Sequence, residues 1–136
     1  MKKLLPLFFV AILIFGAFLF FRSNRPSGSP ATVWEQPTDA KVDAAQLYQE
    51  FMQDETGANE KYLNKITEVS GEVKAVQEGQ FGQVVLLKTN DPDHSVRCRL
   101  DAKPGESDSG LEIGQNVKFK CLCSGYVQDV EMVQCK

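Results

Sequence analysis

The chain has 136 residues, with 18 acidic and 15 basic side chains and a formal net charge of −3. Lys2, Lys3, Arg22 and Arg25 lie at its beginning, so the remainder carries 11 bases against 18 acids, about −7. This excludes a domain that binds polyanions through net charge, and the length excludes a large multidomain enzyme.

Leu4 to Phe21 is an 18-residue run without a charged or hydrogen-bonding side chain. As a helix it would span roughly 27 Å, close to the ~30 Å of a bilayer's hydrocarbon. Pro6 falls in the first turn, where its missing N–H costs nothing. The run is longer than the h-region of a cleaved signal, and it ends in Phe20-Phe21-Arg22 without a small-x-small site. Residues 1–22 are therefore expected to be a transmembrane signal anchor that contacts the lipid bilayer through Leu4 to Phe21. The flanking charges favour a cytoplasmic N-terminus. Residues 23–41, rich in Ser, Pro and Gly, read as a flexible linker. Trp34 within it has a choice of docking partners, the domain or the interface.

The domain is expected over 42–136. Asp43 is a good helix N-cap, with Gln46 placed for a capping box and Val42 and Leu47 for a hydrophobic staple. Ala44, Leu47, Tyr48, Phe51 and Met52 then recur on one helical face. The spacing predicts a helix over about 44–55, a break near Gly57, and a second short helix to about 64. From Ile66 the period becomes two. Strands are predicted from Ile66 through Val76, at Val84 to Leu87, at Ser95 to Leu100, at Gln115 to Leu122, and at about Asp129 to Cys135. Turns are expected at Glu78 to Gly82, Asn90 to Asp93 and Ser124 to Tyr126, with a long loop over Asp101 to Gly110. Five short strands interrupted between the third and fourth fit an all-β core, a five-stranded Greek-key barrel of the OB type, preceded by the helical segment.

All four cysteines, Cys98, Cys121, Cys123 and Cys135, fall in this domain. With the anchor oriented N-in, the domain lies where disulfides persist. Cys121 and Cys123 point to the same face of one strand, so each is better placed to bond a neighbouring strand, through Cys98 or Cys135, than to bond the other. Disulfides are the leading expectation. One bridge with free thiols, and a thiolate metal or redox site, are the alternatives. No metal ligand set or cofactor is assigned.

The only histidine, His94, reads as a turn residue, and no catalytic constellation can be built around it. The protein is not expected to be an enzyme. Arg97 and Arg99 project from the third strand, and Lys118 and Lys120 from the fourth. Phe81 and Tyr126 are placed in loops beside the usual ligand face of an OB barrel. These six are the candidate ligand-binding residues.

The stretch LYQEFMQDETGANEKYLNK, then ITEVSGEVKAV, VRCRL and LEIGQNVKFKCLCSGYVQDVEMVQC, resembles the tRNA-anti-like family of bacterial OB-fold proteins over about 43–136. The resemblance implies the fold, and many members are small exported or membrane-attached proteins. It brings no catalytic residue. Cys98, Cys123 and Cys135 match cysteines often present in the family, whereas Cys121 stands where a small residue is usual. The leading expectation is a single-pass module of the bacterial inner membrane. Its domain would be periplasmic or otherwise extracytoplasmic, binding a protein or envelope component. Nucleic acid is not expected as the partner. The alternatives are a nucleic-acid-binding OB domain and a thiol-redox or metal-binding protein.

Overall fold

The computed structural model describes residues 32–101 and 109–136, and one long strand organises them. The expected anchor, and the linker up to residue 31, lie outside the described residues, among which no helix is long and apolar enough to cross a membrane.

The order of elements is β1 (Ala40–Asp43), α1 (Ala44–Gln53), α2 (Glu55–Tyr62), β2 (Ile66–Gly79), β3 (Gly82–Lys88), β4 (Ser95–Leu100), β5 (Asn116–Tyr126) and β6 (Val130–Cys135). Five of the strands close in the order β2-β3-β4-β6-β5 and back to β2, while β1 adds to the outer edge of β2. The β4–β6 pair is parallel and the other barrel pairs are antiparallel. This is a five-stranded mixed barrel with two short helices, in keeping with the OB topology expected.

β2 is shared. Ile66 to Glu72 pair with β5, and Val73 to Gly79 pair with β3, with a register irregularity between Val73 and Ala75. Such an irregularity bends a strand and increases its twist, which a small barrel needs to close. Gly71 stands at the same place. A Cβ there would lie 3.0 Å from the Ala44 Cβ and 3.5 Å from that of Leu87. The missing side chain is what lets the first turn of α1 sit on the barrel wall.

The helices form for local reasons. The Asp43 carboxylate accepts from Ala45 N–H at 2.9 Å and caps α1. Gln46, expected to complete a capping box, instead donates to Glu50 Oε1 at 2.9 Å. The break falls at Asp54, three residues before the expected position. Its N–H bonds Glu50 O, and its side chain accepts from Gly57 N–H at 3.1 Å, so it ends one helix and starts the next. Lys61 Nζ, 2.7 Å from Glu50 Oε2, ties the two helices together. Leu47, Tyr48 and Phe51 of α1 and Tyr62 of α2 join Val69, Val73, Leu87, Val96 and Met132 in a single apolar core. Each large side chain buried there contributes roughly 1.5–3 kcal/mol.

Three expectations need correction. β1 begins inside the stretch assigned to the linker, with Ala40 and Lys41, and ends in the expected domain with Val42 and Asp43. It pairs in parallel with Thr67 to Ser70, and Asp39 N–H and Oδ2 bond Ile66 O and N–H at 2.8 and 2.9 Å. A four-residue strand with one buried side chain, Val42, has too little pattern to be read from sequence. Val33 and Trp34 are also packed: Val33 is buried, and Trp34 Nε1 donates to Gln134 O at 3.2 Å. Last, β5 runs on through Ser124 to Tyr126, where a turn was expected. Gly125, at φ +106°, sits at a register irregularity rather than a reversal.

Replacing Gly71 by Val should destabilise the domain by about 1–3 kcal/mol, the cost of overpacking a close contact. Urea unfolding followed by circular dichroism measures it, and an unchanged midpoint would show that α1 does not depend on this approach.

Candidate functional site

The outer face of β3 and β4 is where the predicted ligand residues concentrate. Val84 pairs with Arg99 and Leu86 with Arg97, all four on the side away from the core residues Val85, Leu87, Val96 and Cys98. Phe81 lies at the tip of the β2–β3 hairpin, where the chain reverses through Gln80 and Phe81 between the paired Gly79 and Gly82. It is 73% exposed. Val84 is itself buried, so the result is a mixed surface, apolar at the half-buried Leu86 and at Phe81 and cationic at Arg99, for which no acidic partner exists among the described residues.

The other predicted cations are engaged by the protein itself. Arg97 Nε lies 3.2 Å from Glu131 Oε1, its neighbour across the parallel β4–β6 pair. Lys118 Nζ is 3.6 Å from Glu68 Oε1. Lys120 Nζ donates to Trp34 O at 3.1 Å and to Gln36 O, strapping the segment before β1 onto β5. Moreover, β6 lies between β4 and β5, so the two basic pairs do not share neighbouring strands. Among the described residues these four cations do not join into one continuous stripe across neighbouring strands.

Tyr126 is not in a loop and does not join Phe81. It ends β5, opposite Val130, and its ring lies 6.2 Å from that of Phe51 and 6.5 Å from that of Tyr48. The two aromatics belong to opposite ends of β3. Phe81 precedes Gly82, whereas Val130, the partner of Tyr126, also pairs with Val96, one residue from the Lys88–Ser95 pair. Seven residues of strand, roughly 20 Å, separate those ends.

A second polar cluster had only a faint sequence signal. The loop from Thr89 to His94 closes on itself: Asp91 Oδ1 accepts from Asp93 N–H at 2.9 Å, and Thr89 Oγ1 from Asp91 N–H at 3.2 Å. Tyr48 Oη donates to Asp91 Oδ2 at 3.2 Å, and His94 Nδ1 stands 3.0 Å from the same oxygen. The His94 ring stacks on Tyr48 at 5.4 Å. His94 is thus a turn residue, as read, with α1 packed against it. Beside the cluster is a cavity of about 330 Å³ lined by Lys74, Lys88, Thr89, Asn90, Asp91 and Pro92. Its lysines are occupied: Lys74 Nζ donates to Pro92 O at 2.5 Å, and Lys88 pairs with Glu72. The arrangement fastens α1 to the barrel, and no activated nucleophile lines it.

The Asp93 N–H, helped by His94 and Tyr48, holds the Asp91 carboxyl below its ordinary pKa. Its folded pKa lies below the unfolded one, so its contribution is complete above the usual aspartate range, near pH 4, and fades as pH falls through the folded value. Asp91→Asn should therefore lower the melting temperature at pH 6 and converge with the parent protein as the pH is taken toward 2. Parallel curves over the whole range would show that this carboxylate is not coupled to folding.

Of the four cysteines, Cys121 and Cys135 form a disulfide, with Cα atoms 4.3 Å apart. Cys98 and Cys123 are buried thiols. One bridge with free thiols is thus the arrangement present. The register explains it. Lys120 and Lys136 exchange both backbone bonds, which leaves Cys121 and Cys135 as the adjoining non-hydrogen-bonded pair, where side chains approach most closely. Cys98 and Cys123 each stand beside Met132, on opposite sides of β6, and are held apart by that strand. Burial pushes both thiols up in pKa, which suppresses the reactive thiolate.

A family model described as tRNA_anti-like matches residues 1–136. A solved structure described as an aspartyl-tRNA synthetase from Leishmania major Friedlin is similar at 12% identity with a TM-score of 0.45, over 89% of this chain and 25% of that one. The chain thus spans a quarter of that protein's length. No curated protein matches the chain.

Proposed function

Because the chain belongs to the tRNA_anti-like family, we propose that it is an OB-fold binding module whose ligand face is the outer surface of β3 and β4 with the Phe81 hairpin. The module is tethered to the bacterial inner membrane by Leu4 to Phe21, faces the extracytoplasmic side, and engages a protein or protein-like envelope component. OB barrels use this face and its bordering hairpin loop for recognition. The observation that carries the choice of partner is the state of the cations. Arg97 is ion-paired with Glu131 and Lys118 with Glu68, and Lys120 is bonded to backbone carbonyls, so the face offers Arg99 beside Leu86 and Phe81 as its cation without an acidic partner among the described residues. A polyanion needs several free cations to displace its counterions, whereas a protein surface is matched by apolar anchors with an occasional arginine. The surplus of acids outside the N-terminal segment supports the same reading. The Cys121–Cys135 disulfide supports an oxidising compartment.

A photocrosslinking residue at position 81 of the full-length protein, in membranes, should give a discrete protein adduct that is lost with Arg99→Glu. The purified protein should bind single-stranded RNA no more tightly than ~10 µM at ~150 mM salt, the range of non-specific contact. Tight, steeply salt-dependent RNA binding, weakened by the same substitution, would replace the protein-binding reading with a nucleic-acid one. Acid-trapped cells should show Cys121 and Cys135 protected from alkylation until reduction. Four free thiols in the native chain would place the domain in a reducing compartment.

A further inference from the structure

The interior of the barrel concentrates sulfur. The Sγ atoms of Cys98, Cys121 and Cys135 all lie within 4.8 Å of one another, and all three residues are at most 1% exposed. They come from β4, β5 and β6, so closure of the barrel assembles them. Met132, fully buried, pairs with Cys98 across the β4–β6 register, so a thioether-bearing residue neighbours one member of the group. A second observation concerns Thr67. It is completely buried, and its Oγ1 has no hydrogen-bond partner. An unpaired buried hydroxyl costs about 1–3 kcal/mol. Thr67 stands directly opposite Cys121 in the β2–β5 register, so the two side chains share the inner face with Cβ atoms about 4.5–5.5 Å apart. The unused hydroxyl therefore belongs to the wall around the sulfurs.

Three sulfurs around one metal ion, at metal–sulfur distances of ~2.3 Å, stand about 4 Å from each other. The present grouping, with all three Sγ atoms within 4.8 Å of one another, is already of that size, apart from the bond that joins Cys121 to Cys135. A donor set of three thiolates selects soft ions, Cu(I) foremost. Among the described residues no imidazole nitrogen or carboxylate oxygen joins the group within 4.8 Å, although the Glu131 carboxylate acts on Cys98 from farther off.

We infer that the reduced barrel holds a Cu(I) site in which Cys98, Cys121 and Cys135 are the ligands and Thr67 Oγ1 donates a hydrogen bond to a ligand thiolate. A dithiol reductant opens the site: the Cys121–Cys135 bond breaks, two electrons and two protons pass to these sulfurs, and the reductant leaves as its own disulfide. Cu(I) then forms three Cu–S bonds as three S–H protons leave to solvent. The disulfide and the metal site are alternative states of the same sulfurs, so a small-molecule disulfide that takes two electrons from the pair, re-forms the Cys121–Cys135 bond and leaves as its dithiol expels the ion. This inference is independent of the ligand proposed for the outer face.

The test uses the full-length protein in detergent, reduced with dithiothreitol, freed of the reductant anaerobically and titrated with Cu(I) against bicinchoninate. One equivalent should be retained, with three sulfur neighbours in X-ray absorption and native circular dichroism. Cys98→Ser should reduce the sulfur count to two and weaken binding beyond the ~10–100-fold typical of losing an outer-shell partner. Thr67→Val should keep the stoichiometry and weaken binding within that range. Cys123→Ser, outside the triad, should leave the titration unchanged and serves as the control for folding. Failure of the native protein to hold copper against the competitor would overturn the assignment. So would binding indifferent to Cys98→Ser, uptake only by unfolded chain, or displacement of copper by an equal concentration of Zn(II).

Discussion

The bend in β2 is the constraint on which the structure depends. One strand serves as neighbour to β5 over its first half and to β3 over its second, and the change of direction occurs between Gly71 and Ala75. Two requirements meet there. The irregularity after Val73 twists the strand enough for five strands to close, and the absence of a side chain at Gly71 admits Ala44 at the start of α1. A straight β2 would leave β3 and β5 in an open sheet with exposed edges, and the interior built from Val69, Val73, Val85, Val96, Val130 and Met132 would have no second wall.

Closure then determines what the barrel shows to its surroundings. With the order β3-β4-β6-β5, strand β6 comes between the two strands that carry the basic pairs, and it brings Glu131 against Arg97. Lys120 is committed to the backbone at Trp34 and Gln36, which fastens the approach to β1 along the outside of β5. Arg99, Leu86 and Phe81 are left on the outer face of β3 and β4 and their hairpin. The same order gathers Cys98, Cys121 and Cys135 on the inside, because β4, β6 and β5 are consecutive around the wall. Outer face and sulfur cluster are thus two consequences of a single topology.

The polar cluster of Tyr48, Asp91 and His94 has a different part. It joins α1 to the β3–β4 loop through contacts that are individually modest and share one carboxylate. With Asp129 Oδ1 accepting from Ser95 N–H at 2.7 Å, it fixes the beginning of β4 beside the β5–β6 turn. The helices are in this way attached to the barrel by apolar packing at Gly71 and by a hydrogen-bonded latch at His94.

Much of the architecture was legible in the residues. Alternation from Ile66 onward, the uncharged Val84 to Leu87 run, and Ser95 to Leu100 announce strands because each buries one or both faces, and burial imposes a period of two. The helical face at Ala44, Leu47, Tyr48 and Phe51 and the cap at Asp43 are equally local. What could not be read depends on residues distant in the chain. β1 is a strand only because β2 offers it an edge, and Tyr126 is a strand end only because Phe51 and Tyr48 receive its ring. The identity of the bonded cysteines follows from a pairing of Lys120 with Lys136 that no local pattern encodes. Whether a lysine is free or spent is decided by which acid or carbonyl the closed barrel places next to it. Periodicity reports which face of an element is buried; it carries no information on which element lies across from it, and that is settled when the strands close.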